Sequence, residues 1–121
     1  MKPVPDHIDE YYSNGHCMYL ALALNQYYQL SIRVQVETIG GETCIAHAYN
    51  VDPASGKEVD ILGVQEQVDQ FSTTVQCVTA DQLLALIGMD GSVESIKTVM
   101  RQIDEAYQVV QQYPGIVSGL S

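Results

Sequence analysis

Cys17, His47 and Asp60 are the residues whose types and order point to chemistry. Cys17 heads the apolar run Cys17-Met18-Tyr19-Leu20-Ala21-Leu22-Ala23-Leu24. A cysteine in the first turn of a helix meets unsatisfied N–H groups and the positive end of the macrodipole. Both favour the thiolate, which is the nucleophile, and the same N–H groups can receive an oxyanion. The competing reading is a packing residue, because cysteine is among the most buried residue types. His47 lies in Ala46-His47-Ala48, where small neighbours leave space around a ring. Asp60 stands between Val59 and Ile61, a costly setting for a carboxylate without a partner. Hydrogen-bonded to the imidazole, it would fix the tautomer and leave the second ring nitrogen to the thiol.

These side chains work together only if the elements carrying them are in register. The sequence predicts a short helix over 6–13 and a largely apolar, buried helix over 16–28, with Asn14 as its N-cap. Alternation over 32–38 predicts a strand, Gly40-Gly41 a turn, and 43–51 and 58–62 two further strands of an antiparallel meander. If residues 53–56 form the second loop, Asp52 pairs with Lys57 and Asp60 falls opposite Tyr49. Tyr49 shares a face with His47, because strand side chains alternate with period two. A loop longer by one residue puts Asp60 opposite Ala48, on the wrong face.

Beyond Gly63, residues 64–71 read as a short helix or an irregular segment, and 74–78 as a weaker strand. Thr79-Ala80-Asp81-Gln82 has the form of a capping box before Leu83, Leu84, Leu86 and Ile87, with Gly88 ending that helix. Ile96, Val99, Met100, Ile103, Tyr107 and Val110 recur at helical spacing over 92–112, and Pro114-Gly115 stops the last helix. The expected fold is a single α+β domain spanning 1–121: a buried Cys-bearing helix on a small antiparallel sheet, followed by a helical C-terminal half.

Gly15-His16-Cys17 before an apolar helix, then Ala46-His47-Ala48 and Val59-Asp60-Ile61-Leu62-Gly63, resemble the small papain-like cysteine hydrolases, with which transglutaminase-like proteins share the Cys-His-Asp order. The resemblance covers roughly residues 13–64. It implies a papain-like fold, with Cys17 as nucleophile, His47 as general base and acid, and Asp60 as orienter, acting on an amide, peptide or other acyl bond. Proteins of this pattern include bacterial and phage proteins of undefined substrate and toxin-type effectors. Papain-type enzymes carry an oxyanion-hole Gln about six residues before the cysteine, and Tyr11 stands there in this chain. Asn14 could substitute, or the hole could use backbone N–H groups alone, with His16 at the substrate rim. Two alternatives stand beside hydrolysis: transglutaminase-type acyl transfer, and a non-enzymatic interaction domain of effector or antitoxin type on the same scaffold.

The chemistry implied requires no metal or organic cofactor. His16, Cys17, Cys44 and His47 are zinc-compatible types, but no C-x-x-C or H-x-x-x-H pair accompanies them. Cys44 and Cys77 read as core fillers, His7 as a surface residue, and Tyr11 and Tyr12 as packing residues or cleft lining. A net charge of −10, fifteen acids against five bases, argues against nucleic acid as a partner and against anionic membrane surfaces. A protein or peptide substrate, or a basic partner, suits it better. With no apolar h-region at the N-terminus and three cysteines in no disulfide pattern, the expected setting is the reducing cytoplasm. Leaderless export is compatible with the same features.

Overall fold

The computed structural model describes residues 3–13, 16–65, 75–86, 92–118 and 120. Helix α1 (Asp6–Ser13) follows two prolines and opens with Asp6 and Asp9 in its first turn, where carboxylates favour the helix dipole. Helix α2 (Cys17–Tyr28) buries Cys17, Leu20, Ala21, Leu22, Ala23 and Leu24. It stops at Gln29, whose left-handed backbone (φ 57°) sends its N–H to Asn25 O. The Asn25 amide donates to Leu30 O at 2.9 Å and ties the helix end to the first strand.

Five strands follow: β1 (Ser31–Ile39), β2 (Glu42–Val51), β3 (Glu58–Asp60), β4 (Gly63–Gln65) and β5 (Val75–Val78). Their order across the sheet is β4-β3-β2-β1-β5, and all pairings are antiparallel. The expected meander is therefore present. It gains β4 within the stretch read as helix or irregular segment, whose residues 66–71 lie outside the described residues, and β5 returns to the free edge of β1. Asp60 pairs with Gly63 across the β3–β4 turn. Gly63 has φ 103°, and a Cβ there would lie 3.5 Å from Gly115 O and 3.6 Å from Pro3. A side chain would make only ordinary van der Waals contacts there, so it is the positive φ that selects glycine.

Helix α3 (Ala80–Leu86) starts with the predicted box. Gln82 N donates to Thr79 Oγ1 at 3.1 Å, and Thr79 N donates to Gln82 Oε1 at 2.9 Å. Gly88 lies outside the described residues. Helix α4 (Val93–Gln112) is capped by Ser92 Oγ, which accepts from Ser95 N. A short 3₁₀ turn, Pro114–Ile116, ends it.

Ile32, Val34 and Val36 are buried on one face of β1, between the half-buried Arg33 and Gln35. Helix α2 covers that face. One cluster joins Leu20 and Leu24 of α2 to Val4, Tyr12, Val59, Ile61, Val110 and Ile116. A second joins Cys17, Ala21 and Leu22 to Ile32, Val34, Val36, Ala48 and Leu83. Each fully buried Leu or Ile in them contributes roughly 1.5–3 kcal/mol. The architecture is α+β, with the cysteine-bearing helix on an antiparallel sheet and helices after it.

Candidate functional site

The hairpin between β2 and β3 has the register the dyad needs. Asp52 N donates to Lys57 O at 2.9 Å and Gly56 N to Asp52 O at 2.7 Å. The Asp52 carboxylate accepts from Ser55 Oγ at 2.7 Å and from Ala54 N at 3.1 Å. These bonds hold Asp52 below the usual carboxylate range and fix the loop at 53–56. Asn50 pairs with Val59 and Val51 with Glu58, so Asp60 follows opposite Tyr49.

Asp60 Oδ2 then lies 4.0 Å from His47 Nε2. This is ion-pair range for a protonated imidazole and longer than a hydrogen bond. The other carboxylate oxygen accepts from Leu62 N at 2.8 Å and from Gln65 Nε2 at 3.2 Å. Burial pushes the Asp60 carboxyl up, against the opposing pull of the Leu62 N–H and of His47, and Asp9 adds to the rise. The Tyr49 ring stacks near that of His47, with centroids 5.5 Å apart and planes at 18°. Tyr49 and Gln65 are members of this cluster that the sequence did not single out. Tyr49 was legible only as a same-face neighbour, and Gln65 needed the β3–β4 turn.

Cys17 is elsewhere. It opens α2 as expected, but it is 8% exposed and belongs to the cluster under the helix that includes Ala48. Ala48 pairs with the buried Val34, and Asn50 with the buried Ile32. The Asn50 amide donates to Ala21 O of α2 at 3.0 Å. Residues 48 and 50 thus face the helix, and by alternation His47 and Tyr49 face away. The sheet brings His47 and Asp60 together on one side and leaves the thiol of Cys17 on the other.

A β-bulge decides this placement. From the Gly40-Gly41 turn, Ile39 pairs with Glu42 and Val36 with Ile45. Beyond the irregularity at Gln35/Val36, Gln35 pairs with His47 and Val34 with Ala48, so that Ala46 is the extra residue. Had the first register continued, His47 would oppose Val34 and face α2. The one inserted residue reverses the face of everything after it. Nothing in the sequence marks Ala46 as a bulge.

The residue preceding α2 is His16, which makes no side-chain capping bond; Asn14, the expected N-cap and oxyanion donor, lies outside the described residues. The His16 ring stacks on Tyr11 at 4.0 Å with planes 15° apart, and lies 5.9 Å from Tyr19. Its Nδ1 is buried without a hydrogen bond among the described residues. Tyr11 and Tyr12 line a cleft between α1 and α4. Asn50, 1% exposed, is a further buried polar residue, and its Oδ1 has no partner among the described residues. The side chains of Cys44 and Cys77 are outside the described set. Among the described residues, no three His, Cys, Asp or Glu side chains gather closely enough to hold a metal ion. No described helix is long and apolar enough to cross a membrane.

Compared with protein-family models, curated proteins and solved structures, the chain has no match in any of the three.

Proposed function

We propose that this chain is a partner-binding domain that carries a papain-like residue order, Cys17, His47 and Asp60, without using it for covalent catalysis. The observation that carries this reading is the side of β2 on which each group lies. Ala48 and Asn50 face α2 with Cys17, while His47 turns away with Tyr49 and Asp60. Nucleophilic catalysis by a thiol needs the base within hydrogen-bond reach of the sulfur. The placement of Cys17 and His47 on opposite sides of β2 supports a role without that step. Cys17 then serves as a small apolar filler beneath the first turn of α2.

The test is acyl chemistry. Incubated with p-nitrophenyl acetate, the protein is expected to show no acetylated Cys17 by peptide mass mapping, and no p-nitrophenol release beyond that of Cys17→Ala. An acetyl group on Cys17 that forms and clears with turnover would overturn the reading.

A second reading, papain-type hydrolysis or transglutaminase-type acyl transfer, is favoured by one observation. The β2–β3 register places Asp60 beside His47 Nε2, leaving Nδ1 for a thiol. In that reading Cys17 Sγ attacks the acyl carbon, its proton passes to His47, and the imidazolium protonates the leaving amine. It requires β2 without the bulge, so that the dyad turns as a unit toward α2. The same acetylation experiment separates the two.

A further inference from the structure

Between α1 and α4 lies a cleft of about 350 Å³ lined by His7, Ile8, Tyr11, Tyr12, Glu105 and Val109. Among the described residues its lining is mostly aromatic and aliphatic, with one carboxylate, Glu105, and one imidazole, His7. The Tyr11 and Tyr12 rings meet edge to face, with centroids 4.9 Å apart and planes at 77°. Tyr11 is held in place as a wall: its hydroxyl donates to Gln102 Oε1 at 3.2 Å, and the His16 ring stacks on it. It still exposes 39% of its surface, while Tyr12 behind it exposes 3%. Glu105 is exposed and makes no ion pair among the described residues. Among the described residues no Lys or Arg lines the cleft, and the chain as a whole carries fifteen acids against five bases.

We infer that this cleft takes an arginine side chain from a basic protein partner. The inference rests on the partner-binding reading and supplies the chemistry of the partner. Tyrosine faces attract a cation through the ring quadrupole. A planar guanidinium can stack on such a ring while giving paired N–H bonds to a carboxylate, which a lysine ammonium cannot do. The volume is at the lower end of the range for ligand pockets, which suits one long side chain better than a folded surface. The surrounding charge acts in the same direction, drawing basic segments toward the molecule and repelling acidic ones. Burial pushes the Tyr12 phenol up to about 12, with Tyr11 and Glu105 adding to the rise, so the field of Glu105 reaches the inner wall.

The test uses the full chain, ¹⁵N-labelled, titrated with the peptide acetyl-Gly-Ser-Arg-Ser-Gly-amide and with its citrulline counterpart, which is neutral and nearly isosteric. The expected result is saturable shifts of amides in 7–12 and 102–109, with the citrulline peptide at least fivefold weaker. Glu105→Gln and Tyr11→Leu should each weaken the arginine peptide at least threefold. Glu94→Gln, which removes an equal charge at the far end of α4, should leave it unchanged. Equal binding of the citrulline peptide would show an apolar groove. Equal weakening by Glu94→Gln would show diffuse attraction. Absent shifts, or shifts elsewhere, would show that the cleft does not bind arginine. Each of these overturns the inference, and none alters the acetylation result on Cys17.

Discussion

Asp60 accepts two hydrogen bonds from its own hairpin, from Leu62 N and Gln65 Nε2, and lies within ion-pair distance of His47. Burial still dominates and raises its carboxyl above the ordinary value of 3.8. A carboxyl whose folded-state pKa is raised favours the fold fully below its unfolded pKa, and that contribution is lost as pH rises through the folded value. Asp60→Asn removes this titration. The variant should therefore gain stability relative to the parent as pH rises from 3.8 through the folded value, measured by urea unfolding at a series of pH values. A variant that loses ground over the same range would show that the His47 attraction outweighs burial. Asn50 presents the opposite situation, a neutral amide sealed between β2 and α2 with one hydrogen bond to Ala21 O. Asn50→Ala should cost about 1–3 kcal/mol, read from the same unfolding curves. A neutral effect would mean that the bond to Ala21 contributes nothing net.

At the scale of elements, much of the chain was legible because local chemistry and fold agree. The capping box at Thr79 and Gln82 appears with both of its bonds, and Thr79→Ala should cost about 1 kcal/mol in thermal or urea unfolding. An unchanged midpoint would show that α3 is held by packing alone. The loop at 53–56 was legible for the same reason, since Asp52 and Ser55 supply its hydrogen bonds from within it. That loop fixes the register that brings Asp60 to His47. Less legible was the end of α2, where Gln29 adopts a left-handed backbone usually given to glycine. Two other features depend on distant parts of the chain. Strand β5 pairs with β1, and the bulge at Ala46 depends on how β1 and β2 each bury a face against α2. The sequence carries Cys17, His47 and Asp60 in plain view, but the side of the sheet on which His47 lies depends on one unpaired residue.

For the molecule as a whole, an apolar helix on an antiparallel sheet is combined with a strongly acidic chain. A net charge of −10 repels itself most in the compact state, and added salt screens that repulsion within a Debye length of about 10 Å at 0.1 M. Raising sodium chloride from about 10 to about 200 mM should therefore raise the melting temperature. A fall would show that attractive pairs, such as His47 with Asp60, outweigh the excess of acids. The same charge fits the arginine cleft between α1 and α4. The partner-binding reading depends above all on the separation of Cys17 from His47. The most direct measurement is the rate at which iodoacetamide alkylates Cys17, followed by peptide mass mapping across pH 5–9 in the parent and in His47→Ala. A buried thiol with no base beside it should react more slowly than free cysteine, at a rate that His47→Ala does not change. Alkylation faster than free cysteine near neutral pH, slowed by His47→Ala, would place the imidazole beside the sulfur and contradict the account.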